Sequence, residues 1–123
     1  LKYQTIPHSP TGYAIESGLM KEDEAVNHDE RHFILNASGS PEMRIEIGPP
    51  LTLSKRDTLL IASDGLFDNL FIEEIIDIIR CGALIQCADR LASVCEDRMR
   101  GNSESDLCKP DDLTFLLYRK GPP

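Results

Sequence analysis

The chain lacks what several functional classes require. It has no tryptophan, and only four phenylalanines and three tyrosines in 123 residues, so an interaction surface built on exposed aromatics has little to draw on. Basic residues are outnumbered, 13 Lys and Arg against 21 Asp and Glu, for a formal charge of -8. Those cations are scattered, which argues against nucleic acid or an anionic membrane as partner, since both demand a basic patch. An anionic substrate is not excluded, but a phosphate site here needs local positive charge, and divalent cations supply it. No apolar run approaches the roughly 20 residues of a membrane span, and nothing at the start reads as a signal peptide. The expectation is a soluble, cytoplasmic protein. Residue 1 is leucine and not an initiator methionine, which reads as a processed or truncated end.

Reactive motifs are missing too. Cys81, Cys87, Cys95 and Cys108 form no Cys-x-x-Cys pair, so free thiols in a reducing compartment are expected in place of a disulfide framework. There is no Gly-x-Ser-x-Gly, no phosphate-binding Gly-x-x-x-x-Gly-Lys and no Ser/His/Asp set in a recognisable context. Catalysis by a nucleophilic side chain is poorly supported. No repeat or low-complexity tract interrupts the chain, and 41% hydrophobic content suffices for one core, hence one domain or part of one over 1–123.

What is present centres on Arg56 to Asn69. Thr58 to Ala62 is a continuous apolar run too short for a helix, bounded by charge and by glycine, and predicts a strand buried on both faces in the middle of a sheet. Ser63-Asp64-Gly65 ends it, and the freedom of Gly65 predicts a sharp turn that leaves the Asp64 carboxylate at the strand's exit. Downstream, Asn69 is a candidate N-cap for a helix carrying Ile72, Ile75, Ile76 and Ile79 at helical spacing. A second amphipathic helix is predicted over 83–100, with Leu84, Ala88, Leu91, Ala92, Cys95 and Met99 on one stripe and Gly101 as its stop. Residues 101–112 read as a mobile polar loop, and Leu113 to Tyr118 as a final apolar strand.

The first part of the chain is less regular. Weak alternation predicts a strand at Leu1 to Ile6, followed by a loop at 7–12, a short helix or turn over 13–20 and an exposed short helix within Lys21 to Arg31, capped near Lys21 to Asp23. His32 to Leu35 and the alternating Met43 to Ile47 predict two further strands, separated by a turn at 36–41.

The string Asp57 to Leu70, DTLLIASDGLFDNL, resembles the Ser-Asp-Gly block of the metal-dependent protein phosphatases, the type-2C or PPM family. Lys109 to Tyr118, KPDDLTFLLY, resembles that family's closing Asp-Asn-(apolar)-Ser/Thr strand. The likeness is weak up to Gly39 and clear over 43–80 and 109–118. It implies an α+β fold, part of a four-layer α-β-β-α sandwich with mainly antiparallel sheets, of which 1–123 is the C-terminal portion. It also implies hydrolysis of phosphoserine or phosphothreonine in a phosphoprotein substrate, by water activated at a two-metal centre of magnesium or manganese. Asp64 and Asp111 are the implied metal ligands. Both abut strands, so neighbouring strands would bring their carboxylates together, and close carboxylates repel unless a cation sits between them.

Asp68 and Asp112 are candidates for supporting roles near those ligands. Asp68 reads as a turn or helix-start residue, and Asp112 stands where the family usually has Asn. His28 and His32 are four apart, but His32 opens a predicted strand, so a shared zinc site is not favoured. His8 follows Pro7 where the family has Asp, and reads as structural. The family's Asp-Gly-His-Gly element and phosphate-binding arginine are not found. The chain alone is therefore expected to bind metal weakly, to lack activity and, with a partner sheet missing, to self-associate unless the missing half of the domain covers it. The competing reading is a phosphatase-like domain that serves as a non-catalytic scaffold or regulator.

Overall fold

The computed structural model describes residues 1–25, 28–102 and 107–121. It is a mixed α+β structure with two compact units, Leu1–Pro50 and Leu51–Pro123.

In the first unit, Ser9 starts helix α1 (Pro10–Glu16) by accepting the Gly12 N–H at 3.0 Å, with Pro10 in the first turn, where its missing N–H costs nothing. The helix thus begins inside the segment expected to be a loop. Glycine is required at position 12 because a Cβ would stand 2.2 Å from the Pro7 carbonyl oxygen. Helix α2 (Glu22–Ala25) is one turn long, with the Glu24 carboxylate accepting the Lys21 N–H, as expected from the cap signal near Lys21. It is not wholly exposed, since Ala25 is buried. A 3-10 turn follows at Asp29–His32.

The three strands expected in this unit do not form. Leu1 to Ile6 and Met43 to Ile47 carry no regular structure, and residues 33–35 are irregular after the 3-10 turn. Alternation gives a segment two faces, but a strand also needs a neighbour for its backbone groups. Here side chains take that part. The Asn36 amide spans the backbone of Arg44, donating to its carbonyl at 2.8 Å and accepting its N–H at 3.0 Å. His8 meets Asn36 through Nδ1 and Glu46 through Nε2, and stacks on Tyr13, a structural role as expected. The turn before Arg44 is present, with Gly39 at φ +86°.

In the second unit, strand β1 (Thr58–Ala62) pairs antiparallel with β2 (Phe115–Arg119), Thr58 opposite Arg119 and Ala62 opposite Phe115. Helix α4 (Ile72–Ile79) and helix α5 (Leu84–Met99) cover one face. Leu66, Leu70, Ile75, Ile79, Leu91 and Cys95 form the core against Leu60, Ala62, Phe115 and Leu117. The expectation that β1 is a central strand buried on both faces is overturned. The sheet has two strands among the described residues, and Leu59, Ile61, Leu116 and Tyr118 are exposed on its other face. An apolar run records that both faces are apolar; a helical layer lies against only one of them.

The helices fall where the periodicity placed them, and Gly101, at φ +73°, ends α5. Part of the loop expected over 101–112 lies outside the described residues, and Leu107 within it is buried. All four cysteines are free. Cys95 donates to the Gly65 carbonyl, and burial pushes its thiol up, which leaves it a core residue without thiolate character. Arg119 fastens the sheet to the end of α4 by donating to Thr58 Oγ1 and to the carbonyls of Ile79 and Gly82.

The start of α4 is tied to the end of α5 by a half-buried ion pair. Glu74 accepts the Phe71 N–H and both terminal nitrogens of Arg98, whose NH1 also donates to the Asn69 carbonyl at 2.6 Å. The hydrogen bond from Arg98 holds the Glu74 carboxyl below the usual glutamate range, against an opposing effect of burial. A carboxyl depressed by folding stabilises the folded state above its unfolded pKa of about 4.3 and loses that contribution as pH falls through the lower folded value. Urea denaturation of wild type and Glu74→Gln should therefore differ at pH 7 and converge as the pH is taken well below 4.

Candidate metal centre

Three carboxylates meet at the end of the sheet where β1 stops and β2 starts. The ladder continues one step past the strands, with the Ser63 N–H donating to the Thr114 carbonyl at 2.8 Å. The Ser63 hydroxyl donates to the Asp112 carbonyl and accepts the Thr114 N–H, each at 3.1 Å. Both chains are thus pinned where Asp64 and Asp111 emerge.

After Ser63 the chain forms a single helical turn, α3 (Asp64–Phe67), and not the glycine-driven turn expected. Gly65 has no positive φ. Its role is close approach, because a Cβ there would stand 2.4 Å from the Asp112 carbonyl oxygen and 3.5 Å from Asp111 Cβ. Asp64 opens the turn and Asp68 caps it, and the i, i+4 spacing sets both on one side of the turn.

Carboxylate oxygens of Asp64, Asp68 and Asp111 all lie within 4.8 Å of one another. The expected convergence of Asp64 and Asp111 is present. Asp68, expected as a turn or helix-start residue with a supporting role near the ligands, ends its helical turn and adds a third carboxylate, a buried one. The Asp112 side chain lies outside this group and is exposed. Its backbone acts instead, the N–H donating to Asp111 Oδ1 at 2.8 Å and the carbonyl receiving Ser63. His28 caps the 3-10 turn through Nδ1, and the His32 side chain lies outside the described residues, so the histidine pair is not brought together by anything described.

Two residues that shape the site carry no warning in the local sequence. Lys109 places its ammonium 2.5 Å from Asp68 Oδ2 and 3.4 Å from Asp111 Oδ2. The bond to Asp68, above all, raises its pKa. The Asp111 carboxyl is held below the usual range, first by the Asp112 N–H and then by Lys109. Asn69 is fully buried. It is not the helix N-cap, a position taken by Phe71. Its amide nitrogen donates to the carbonyls of Gly65 and Lys109, and its oxygen accepts the Lys109 N–H at 2.9 Å. The two-way grip on one backbone fixes the segment that delivers Asp111, as Asn36 does for Arg44 in the first unit.

No family model, curated protein or solved structure matches the chain. What the site can do is therefore argued from its donors. Three hard oxygen ligands within one ion's reach suit magnesium or manganese far better than a soft metal. No thiol or imidazole belongs to the group.

Asn69→Ala should cost about 2–3 kcal/mol, since it takes the side-chain partner from the Lys109 N–H and carbonyl and leaves the Gly65 carbonyl with the weak Cys95 donor. The urea midpoint measures the loss. A two-dimensional amide spectrum should show the Asp111 and Asp112 resonances moving most, because their segment loses its anchor.

Proposed function

We propose that the chain is the C-terminal part of a PPM-type protein serine/threonine phosphatase domain, with Asp64 and Asp111 as ligands of a magnesium or manganese ion. The observation that carries this reading is the meeting of Asp64, Asp68 and Asp111 within 4.8 Å at the shared end of two paired strands. The spacing of the two sequence blocks that resemble the family agrees with it. The exposed apolar face of Leu59, Ile61, Leu116 and Tyr118 suits a sandwich in which a second sheet packs there, so that 1–123 would belong to one four-layer domain. Four free thiols fit a cytoplasmic setting.

A divalent ion would be held by Asp64 and Asp111, and the metal would supply Lewis-acid polarisation of the phosphoryl group of phosphoserine or phosphothreonine and a water of lowered pKa. The chain's own residues do the positioning. Asp64 offers an exposed carboxylate with no hydrogen-bond or ion-pair partner among the described residues. Asp111 keeps one oxygen on the Asp112 N–H, which fixes the direction of the other. Asp68, buried and paired, holds Lys109 beside Asp111.

One observation favours a second reading, a non-catalytic phosphatase-like scaffold. The Lys109 ammonium already pairs with two of the three carboxylates and offsets one of their charges. In that reading it is the site's permanent counter-ion.

Asp64→Asn removes a charged ligand without changing shape. It should abolish calorimetric binding of Mn2+ to this chain and lower turnover of a phosphothreonine peptide by the complete domain by orders of magnitude, with the circular dichroism unchanged. Near wild-type turnover by the folded, manganese-loaded variant would remove Asp64 from the site.

A further inference from the structure

Lys109 combines a fixed backbone with a half-exposed side chain. Its N–H and carbonyl are both held by the buried Asn69 amide, whereas its side chain is 40% exposed at the rim of the cluster. The ammonium touches Asp68 Oδ2 and Asp111 Oδ2, and Asp68 itself is 9% exposed. A lysine head on a four-carbon stem can swing into solvent without disturbing the backbone that anchors it. A divalent ion held by Asp64 and Asp111 needs the Asp111 oxygen that the ammonium now faces, and it would meet a like charge a few ångströms away.

We propose that Lys109 is a built-in competitor of the metal: it supplies the positive charge that the carboxylates need when no divalent ion is bound, and must withdraw from Asp111 when one binds. The inference rests on the metal reading above. It makes the affinity of the centre a difference between two cations, so the lysine sets how much free metal the site requires. Asp68 holds the departing head, because its carboxylate is the one buried and most closely paired with the ammonium. Asp64, which the lysine does not reach, is the point at which the ion first gains.

The test uses the 123-residue chain, Mn2+ alone as the probe, and calorimetry together with thermal melts in EDTA and in manganese. Lys109→Met keeps the length of the side chain and deletes its charge. It should bind Mn2+ about tenfold more tightly than wild type, melt below wild type in EDTA and recover that loss in manganese. Lys109→Arg retains the charge and should bind no more tightly than wild type. If wild type binds Mn2+ in an Asp64-dependent way but Lys109→Met binds with equal or weaker affinity, the competition is overturned while the metal reading stands. Equal tightening by the Met and Arg variants would likewise overturn it, since charge would not be the cause. If neither wild type nor Lys109→Met binds Mn2+, both readings fall together.

Discussion

The antiparallel pairing of Thr58–Ala62 with Phe115–Arg119 is the constraint on which the second unit depends. It joins segments about fifty residues apart, as the Ser63 to Asp112 bond spans 49 positions. Closing a loop of that length carries an entropic cost that two short strands cannot offset alone. The intervening chain contributes the rest by folding into α4 and α5, whose apolar faces bury Leu60, Ala62, Phe115 and Leu117. Once Ala62 faces Phe115, the positions of Asp64 and Asp111 follow within a few residues. The sheet therefore creates the carboxylate cluster as a by-product of its register, and a slip by one residue would turn its core-facing side chains outward.

Like charges at such close quarters demand compensation, and the chain distributes it unequally. Asp68 is buried against Lys109, Asp111 leans on a backbone N–H and on the same lysine, and Asp64 is left facing solvent. Burial and pairing go together here, because an unpaired carboxylate in the interior costs far more than one in water. The same logic explains why Asn and not Asp stands at position 69. A second buried carboxylate there would face the carbonyls of Gly65 and Lys109, which need a donor.

Legibility followed the range of the interactions. Helices α4 and α5 and strand β1 were readable because periodicity and apolar runs are local properties of the chain, and Asp64 and Asp111 because each abuts such a run. Asn69 was misread for a physical reason. Asn before a helix is a good cap signal, yet the amide is used across 40 positions to hold Lys109, a partner no local pattern reveals. Lys109 was missed likewise, as one basic residue in a polar loop. Glycine at 65 was correctly singled out but for the wrong property, since what matters is the absence of a Cβ against the Asp112 carbonyl. In the first unit, alternation at Met43 to Ile47 over-predicted a strand because nothing in the segment itself says whether a neighbour exists.

The two asparagines suggest a common economy of construction. Asn36 and Asn69 each hold one distant backbone residue by both its N–H and its carbonyl, which is the hydrogen bonding of a strand pair compressed into a single side chain. Such a clamp fixes direction without requiring the neighbours to continue as a ladder. At Lys109 that matters chemically: the backbone is immobilised, yet the next residues are free to bend through Pro110 and present Asp111 to the end of β1. With the backbone held in this way, the ammonium lies 3.4 Å from the Asp111 carboxylate and closer still to Asp68, so charge of both signs gathers where the two strands meet.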